Sequence, residues 1–199
     1  MSRITQSQAT RTRPPQHYER HDALLVVDMQ NDFCPGGALA VTGGDALVPG
    51  INAEMAEARR AGALIVASRD WHPVDHVSFA HRGGPWPVHC VQDTPGAAFH
   101  ADLALPDTTI RVSKATAFDR DAYSAFDDTG LGDYLRERGI ERVTICGLAL
   151  DVCVKATTLD ALREGFTTRL LDDLSAAVDP EGIEACQDTL TDAGAELCR

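Results

Sequence analysis

The sequence predicts an α/β fold: a three-layer α/β/α arrangement around a mostly parallel, doubly wound sheet of about six strands. Three observations carry this. Several short runs are apolar at every position, amphipathic segments of helical length alternate with them, and glycines close most of those segments. A strand that is apolar throughout needs cover on both faces, and alternation with helices supplies it in a parallel sheet.

In chain order, residues 23–27 (Ala-Leu-Leu-Val-Val) are the first such run. A loop containing Gly and Pro leads to a helix around residues 46–61, ended by Gly62. Residues 63–67 (Ala-Leu-Ile-Val-Ala) form a second strand, and residues 70–107, rich in Pro, Gly and His, predict a long irregular region. A third strand is expected over 109–113, a helix over 131–138 closed by Gly139, and a strand over 142–146 that Gly147 stops. A helix follows over 152–164 with Gly165 at its end, then a strand at 168–171, a helix near 181–193 and a short edge strand at 195–198. Residues 1–20 lack apolar periodicity. With four arginines against one glutamate, they predict a flexible basic N-terminal tail ahead of a single domain over residues 21–199.

A chain of 199 residues holds one domain with a substantial core and is short for two. The net charge of -12 argues against nucleic acid or an anionic membrane surface as partner. No apolar run approaches the roughly 20 residues that span a bilayer, and the N-terminus lacks the apolar core of a signal peptide. The six cysteines (34, 90, 146, 153, 186 and 198) form no C-x-x-C pair. Together with a sizeable core, they predict free thiols in a reducing cytoplasm.

Ligands of such sheets bind beyond the carboxyl ends of the strands. Asp28, Asp70, Lys114 and Cys153 fall at the ends of four successive strands or just after them, so four reactive residues distant in sequence converge on one rim. Lys114 and Lys155 are the only lysines among eighteen basic residues, a hint that a compact ammonium is wanted there. Cys153 stands at a helix start, where unpaired N–H groups and the helix dipole favour a thiolate. Asp28 could accept its proton if burial raises the carboxyl pKa, and Lys114 could stabilise both anions.

A second constellation is Asp70-Trp-His72-Pro-Val-Asp-His76 followed by Trp86-Pro-Val-His89. Carboxylate and imidazole ligands suit zinc, and also manganese or iron; none is soft enough to select among them. Cys90 adjoins His89, but neighbours in an extended segment point to opposite sides, so it is not counted as a ligand. His81 and His100 read as polar loop residues.

At this point a resemblance emerges. Val27-Asp28-Met-Gln-Asn-Asp-Phe33-Cys-Pro-Gly-Gly, Asp70-Trp-His72-Pro-x-x-His76-x-Ser-Phe, Trp86-Pro-x-His89-Cys, Lys114, Tyr123-Ser-x-Phe and Gly147-Leu-Ala149-x-Asp-x-Cys153-Val resemble the nicotinamidases of the isochorismatase-like cysteine hydrolases. The likeness runs from about residue 22 to the C-terminus. It implies Cys153 as nucleophile, Asp28 as proton shuttle and Lys114 as electrostatic partner. It implies one divalent metal ion on Asp70, His72 and His89, zinc foremost with Fe2+ or Mn2+ as alternatives, and leaves open whether His76 is a ligand or stands behind them. Ala149 and Cys153 would form an oxyanion hole, with a cis peptide between Leu148 and Ala149. Phe33 and Trp86 would sandwich a pyridine ring, with Tyr123 as a wall.

The implied reaction converts nicotinamide and water to nicotinate and ammonia through a thioester, with the metal holding the ring nitrogen. Pyrazinamide-type analogues are further substrates. The nearest rival, an amidase for a carbamoyl or ureido compound, would share Asp28, Lys114 and Cys153 without needing the metal set. A catalytically silent ligand-binding protein is the other. The implied partner is a small-molecule substrate; a homo-oligomer is left open. The short loop between His76 and Trp86 and the extra residues 1–20 depart from the family's pattern.

Overall fold

A computed structural model describes residues 15–199. Strands β1 (Asp22–Val27), β2 (Leu64–Asp70), β3 (Ile110–Lys114), β4 (Arg142–Leu148), β5 (Thr167–Ala176) and β6 (Glu196–Cys198) form one sheet in the order β3-β2-β1-β4-β5-β6. Every pairing is parallel. Helices α1 (Val48–Ala61), α2 (Leu131–Glu137), α3 (Lys155–Arg163) and α4 (Ile183–Asp192) follow β1, β3, β4 and β5, and a long segment without an α-helix joins β2 to β3.

The central strand shows why apolar runs predict this. All six residues of β1 are buried. Leu24 and Val26 point to one face and pack with Val48, Ile51, Met55 and Ala58 of α1. Ala23, Leu25 and Val27 point to the other and pack with Leu131 and Leu135 of α2, Ala161 of α3 and Leu190 of α4. The twofold alternation of a strand thus divides one apolar run between two cores. Among the described residues, no helix is long and apolar enough to cross a membrane.

Three elements differ from expectation. Gly147 lies inside β4, which continues to Leu148. A Cβ on Gly147 would sit 2.1 Å from the Val27 carbonyl oxygen, so this glycine permits close approach of β1 and does not end the strand. The strand β5 runs to Ala176, past Leu171, because its second half pairs with Gly147 and Leu148 beyond a register shift. Before α3, Leu150–Val154 form a wide π-type turn, and Cys153 lies in it.

Residues 1–14 of the expected tail lie outside the described residues. The rest of that segment is docked rather than loose. Tyr18 is buried and its hydroxyl donates to Glu54 Oε2 of α1 at 2.7 Å, while the Gln16 N–H donates to both Glu54 oxygens at 3.2 and 3.1 Å. A buried carboxylate needs such donors, and the residues before 21 supply them.

The strand order reverses between β1 and β4, and a cleft opens beyond their carboxyl ends at this switch point. Asp28 follows β1 and Cys153 follows β4, so both flank it.

Candidate active site

Convergence at the rim begins with strand register. Asp70 and Lys114 are paired positions of β2 and β3, and Asp28 leaves β1 at φ 49° with its N–H on the Ser68 carbonyl at 3.2 Å. The Lys114 ammonium then occupies the centre of the group. It lies 2.9 Å from Asp28 Oδ2, donates to Cys153 Sγ at 3.5 Å and forms a close ion pair with Asp70 Oδ1. Ser68 Oγ donates to Asp28 Oδ1 at 2.7 Å. All four reactive residues are buried.

Burial and charge set the protonation states. Burial raises the Asp28 carboxyl pKa, and the Lys114 charge offsets this only in part. Burial also works against the Asp70 carboxylate, yet Lys114 and His72 hold it below the usual carboxylate range. Lys114 itself is pushed well above its ordinary value: burial opposes its charge, but Asp28, Asp70 and Cys153 outweigh burial. Burial pushes the Cys153 thiol well up despite Lys114. The resting nucleophile is therefore a thiol beside an ammonium and a carboxylate. The helix-start thiolate suggested by sequence is not preformed.

Asp70 faces a second group with its other oxygen. Oδ2 lies 3.6 Å from His72 Nε2 and 3.9 Å from His89 Nε2. His72 and His89 sit 17 positions apart in sequence, yet residues 72 and 91 pair as a short parallel bridge, with His72 N–H on the Cys90 carbonyl and Gln92 N–H on the His72 carbonyl. The donor atoms of Asp70, His72 and His89 all lie within 4.8 Å of one another. Both ring nitrogens of His72 are buried without a hydrogen-bond partner, a costly state that a metal ion would relieve at one of them. Nδ1 of His89 meets the Pro87 carbonyl at 2.7 Å, which leaves Nε2 as the ligand atom. The donor set fits a divalent cation.

His76 does not join that set. Its Nδ1 meets Ser78 Oγ at 2.7 Å and its Nε2 meets the Arg120 carbonyl at 2.9 Å, so both nitrogens are engaged; its ring packs 4.3 Å from that of His72. Cys90 is buried, with its N–H donating to Asp32 Oδ2, and is outside the set. Asp28, Asp70 and Cys153 also cluster, but the Lys114 ammonium fills the space a metal would need.

Both groups open into one cleft of about 450 Å³, its mouth included, lined by Phe33, Trp86 and Tyr123 and by Ala149, Cys153, Asp70, His72 and His89. Trp86 Nε1–H donates to the Tyr123 hydroxyl at 3.1 Å, joining two walls. The Leu148–Ala149 peptide is cis. The size and aromatic lining suit a small ring.

Several positioning residues escaped the sequence reading. Gln30 is buried and clamps Asp70 at both ends of its backbone: Nε2 donates to the Asp70 carbonyl and Oε1 accepts the Asp70 N–H, each at 2.8 Å. Asp32 holds the Cys90 N–H beside His89. Asp151 accepts N–H bonds from Val178 and Asp179, both at 2.9 Å, and so fixes Val178 in the cleft wall. Gln30, Asp32 and Asp151 stand in the motifs quoted above, but their hydrogen-bond partners lie far along the chain and are invisible without the fold. Gly37 supports the same region, since a Cβ there would sit 2.3 Å from the Asn31 carbonyl oxygen. Gly37→Ala should lower stability by about 1–3 kcal/mol through this backbone clash, read as a drop in thermal midpoint.

Residues 22–199 match the isochorismatase domain model. The chain belongs to the isochorismatase family. Within that family it is 42% identical over 183 residues to a nicotinamidase/pyrazinamidase of Mycobacterium tuberculosis, covering 88% of this chain and 97% of that protein. In structure it matches the pyrazinamidase of Pyrococcus horikoshii in complex with zinc, with a TM-score of 0.88 and 49% identity over 90% of this chain and 99% of that one. It also matches the PnC1 protein of L. infantum in complex with nicotinate, with a TM-score of 0.85 and 42% identity over 93% of this chain and 96% of that one. The isochorismatase-family fold thus agrees with the sheet and helices read from sequence.

Proposed function

We propose that this protein is a nicotinamidase, hydrolysing nicotinamide to nicotinate and ammonia and accepting pyrazinamide-type analogues. One observation carries the reading: a buried Cys–Lys–Asp group and a three-donor metal set share Asp70 and open on the same aromatic-walled cleft. Relatives named for this activity, and neighbours bound to zinc and to nicotinate, support it.

Asp70, His72 and His89 would hold the metal, zinc in the first place with iron or manganese as alternatives; when bound, it supplies a Lewis-acidic contact for the pyridine nitrogen. Phe33, Trp86 and Tyr123 enclose the ring and exclude water. This places the carboxamide carbon at Cys153 Sγ.

The sulfur attacks as its proton passes to Asp28. That transfer keeps the net charge of the buried group unchanged, since a neutral thiol and a carboxylate become a thiolate and a neutral carboxyl beside the same ammonium. Charge conservation in a dry site avoids a large solvation cost, and burial raises the Asp28 carboxyl pKa, so it holds the transferred proton better than an exposed aspartate would. The backbone N–H groups of Ala149 and Cys153 receive the oxyanion; one such donor is worth about 3 kcal/mol. Asp28 then gives that proton to the amide nitrogen, which leaves as ammonia as the C–N bond breaks and the oxyanion collapses to a thioester. Water attacks the thioester with Asp28 again taking a proton, and the returning thiolate recovers it. A reducing, cytoplasmic setting would keep the Cys153 thiol reduced and able to attack.

The test is ammonia release from nicotinamide. Metal-replete protein should release ammonia, lose the activity in chelator and regain it with added zinc. An absence of release in metal-replete protein would sink the assignment; release unchanged by chelator would remove the metal from it.

A further inference from the structure

At the pole opposite the cleft, where β2 begins, lies a groove of about 880 Å³, its open mouth included. Arg20, Arg59 and Arg138 line it over an apolar floor that includes Leu64, Ile65 and Ile140, and no acidic residue contributes to its wall. Among the described residues, eight of the thirteen arginines (60, 82, 120, 136, 142, 163, 169 and 199) form ion pairs with carboxylates. These three do not. In a chain of net charge -12, carboxylate partners are abundant. Three guanidinium groups left over in one concavity therefore stand out from the rest of the surface.

Their setting favours an anion. Arg138 is held in place, its guanidinium 3.4 Å above the Tyr134 ring and its Nη1 donating to the Tyr134 carbonyl at 3.2 Å. The ends of α1 and α2 face this pole, and each helix C-terminus contributes about half a negative charge. Three guanidinium groups outweigh these, leaving about two positive charges. Guanidinium forks match phosphate oxygens bidentately, and arginine outperforms lysine in this role. The apolar floor offers nothing to a bare anion but would cover a ring or hydrocarbon body.

We propose that this groove is a binding site for an organic phosphate, with the phosphate on Arg20, Arg59 and Arg138 and the organic part on the floor. It does not depend on the reaction assigned to the cleft. Titration of the full chain with ADP at low ionic strength should show saturable binding that weakens as salt rises. In Arg59→Gln/Arg138→Gln the affinity should fall about tenfold or more, with circular dichroism and thermal midpoint as checks that the fold is intact. Inorganic pyrophosphate should bind more weakly than ADP by about threefold or more, since it leaves the floor uncovered. The proposal is overturned if ADP fails to bind, if the double variant binds it as well as the parent, or if pyrophosphate matches it.

Discussion

Replacing Cys153 with alanine should reduce nicotinamide turnover by about 10⁴–10⁶-fold, the loss typical when a lone nucleophile is removed, while metal content and nicotinamide affinity stay near those of the parent. The two halves of this expectation rest on different residues. Turnover needs the sulfur that Lys114 contacts at 3.5 Å. Binding needs the walls formed by Phe33, Trp86 and Tyr123 and the donors of Asp70, His72 and His89, none of which touches the substituted atom's role. Ammonia release, calorimetric titration with nicotinamide and metal analysis of one preparation separate the two. Turnover within about tenfold of the parent would identify a different nucleophile. A simultaneous loss of metal would mean that the thiol and the metal set are not separable, contrary to the placement of Lys114 between them.

Much of this site was legible in the sequence, for a physical reason. Strands buried on both faces leave unbroken apolar runs, so β1 to β4 could be placed within a few residues and their carboxyl ends searched for reactive groups. Asp28, Asp70, Lys114 and Cys153 lie at those ends and meet in the structure. What escaped was cross-chain hydrogen bonding. Gln30 acts on residues 40 and 67 positions away, and Asp151 on residues 27 and 28 away; no local pattern encodes such reach. Gly147 was misread because a glycine needed for close strand approach and one that ends a strand look alike in sequence. The protonation state of Cys153 was also hidden, since it depends on burial as much as on the helix start. His76 could be assigned only when both ring nitrogens were seen to be engaged.

Lys114 joins the two halves of the site through Asp70, whose Oδ1 faces the ammonium and whose Oδ2 faces the histidines. Lys114→Met should therefore damage more than catalysis. It would leave the Asp28 and Asp70 carboxylates buried without their cation, and breaking such a buried ion pair on one side costs about 3–5 kcal/mol. Turnover should be lost as well, because the Cys153 thiolate would have no compensating charge. Pairing the substitution with Asp28→Asn separates these effects. Removing the carboxylate charge along with the ammonium should restore a large part of the stability and none of the turnover. Denaturant unfolding of parent, single and double variants forms a cycle that reads the coupling directly. A Lys114→Met protein as stable as the parent would show that its carboxylates shed their charge by protonation, and the ion-pair description of this site would have to be abandoned. Paired with Asp28 and Asp70, the lysine is at once the brace of the fold at this rim and the charge that lets a buried cysteine attack.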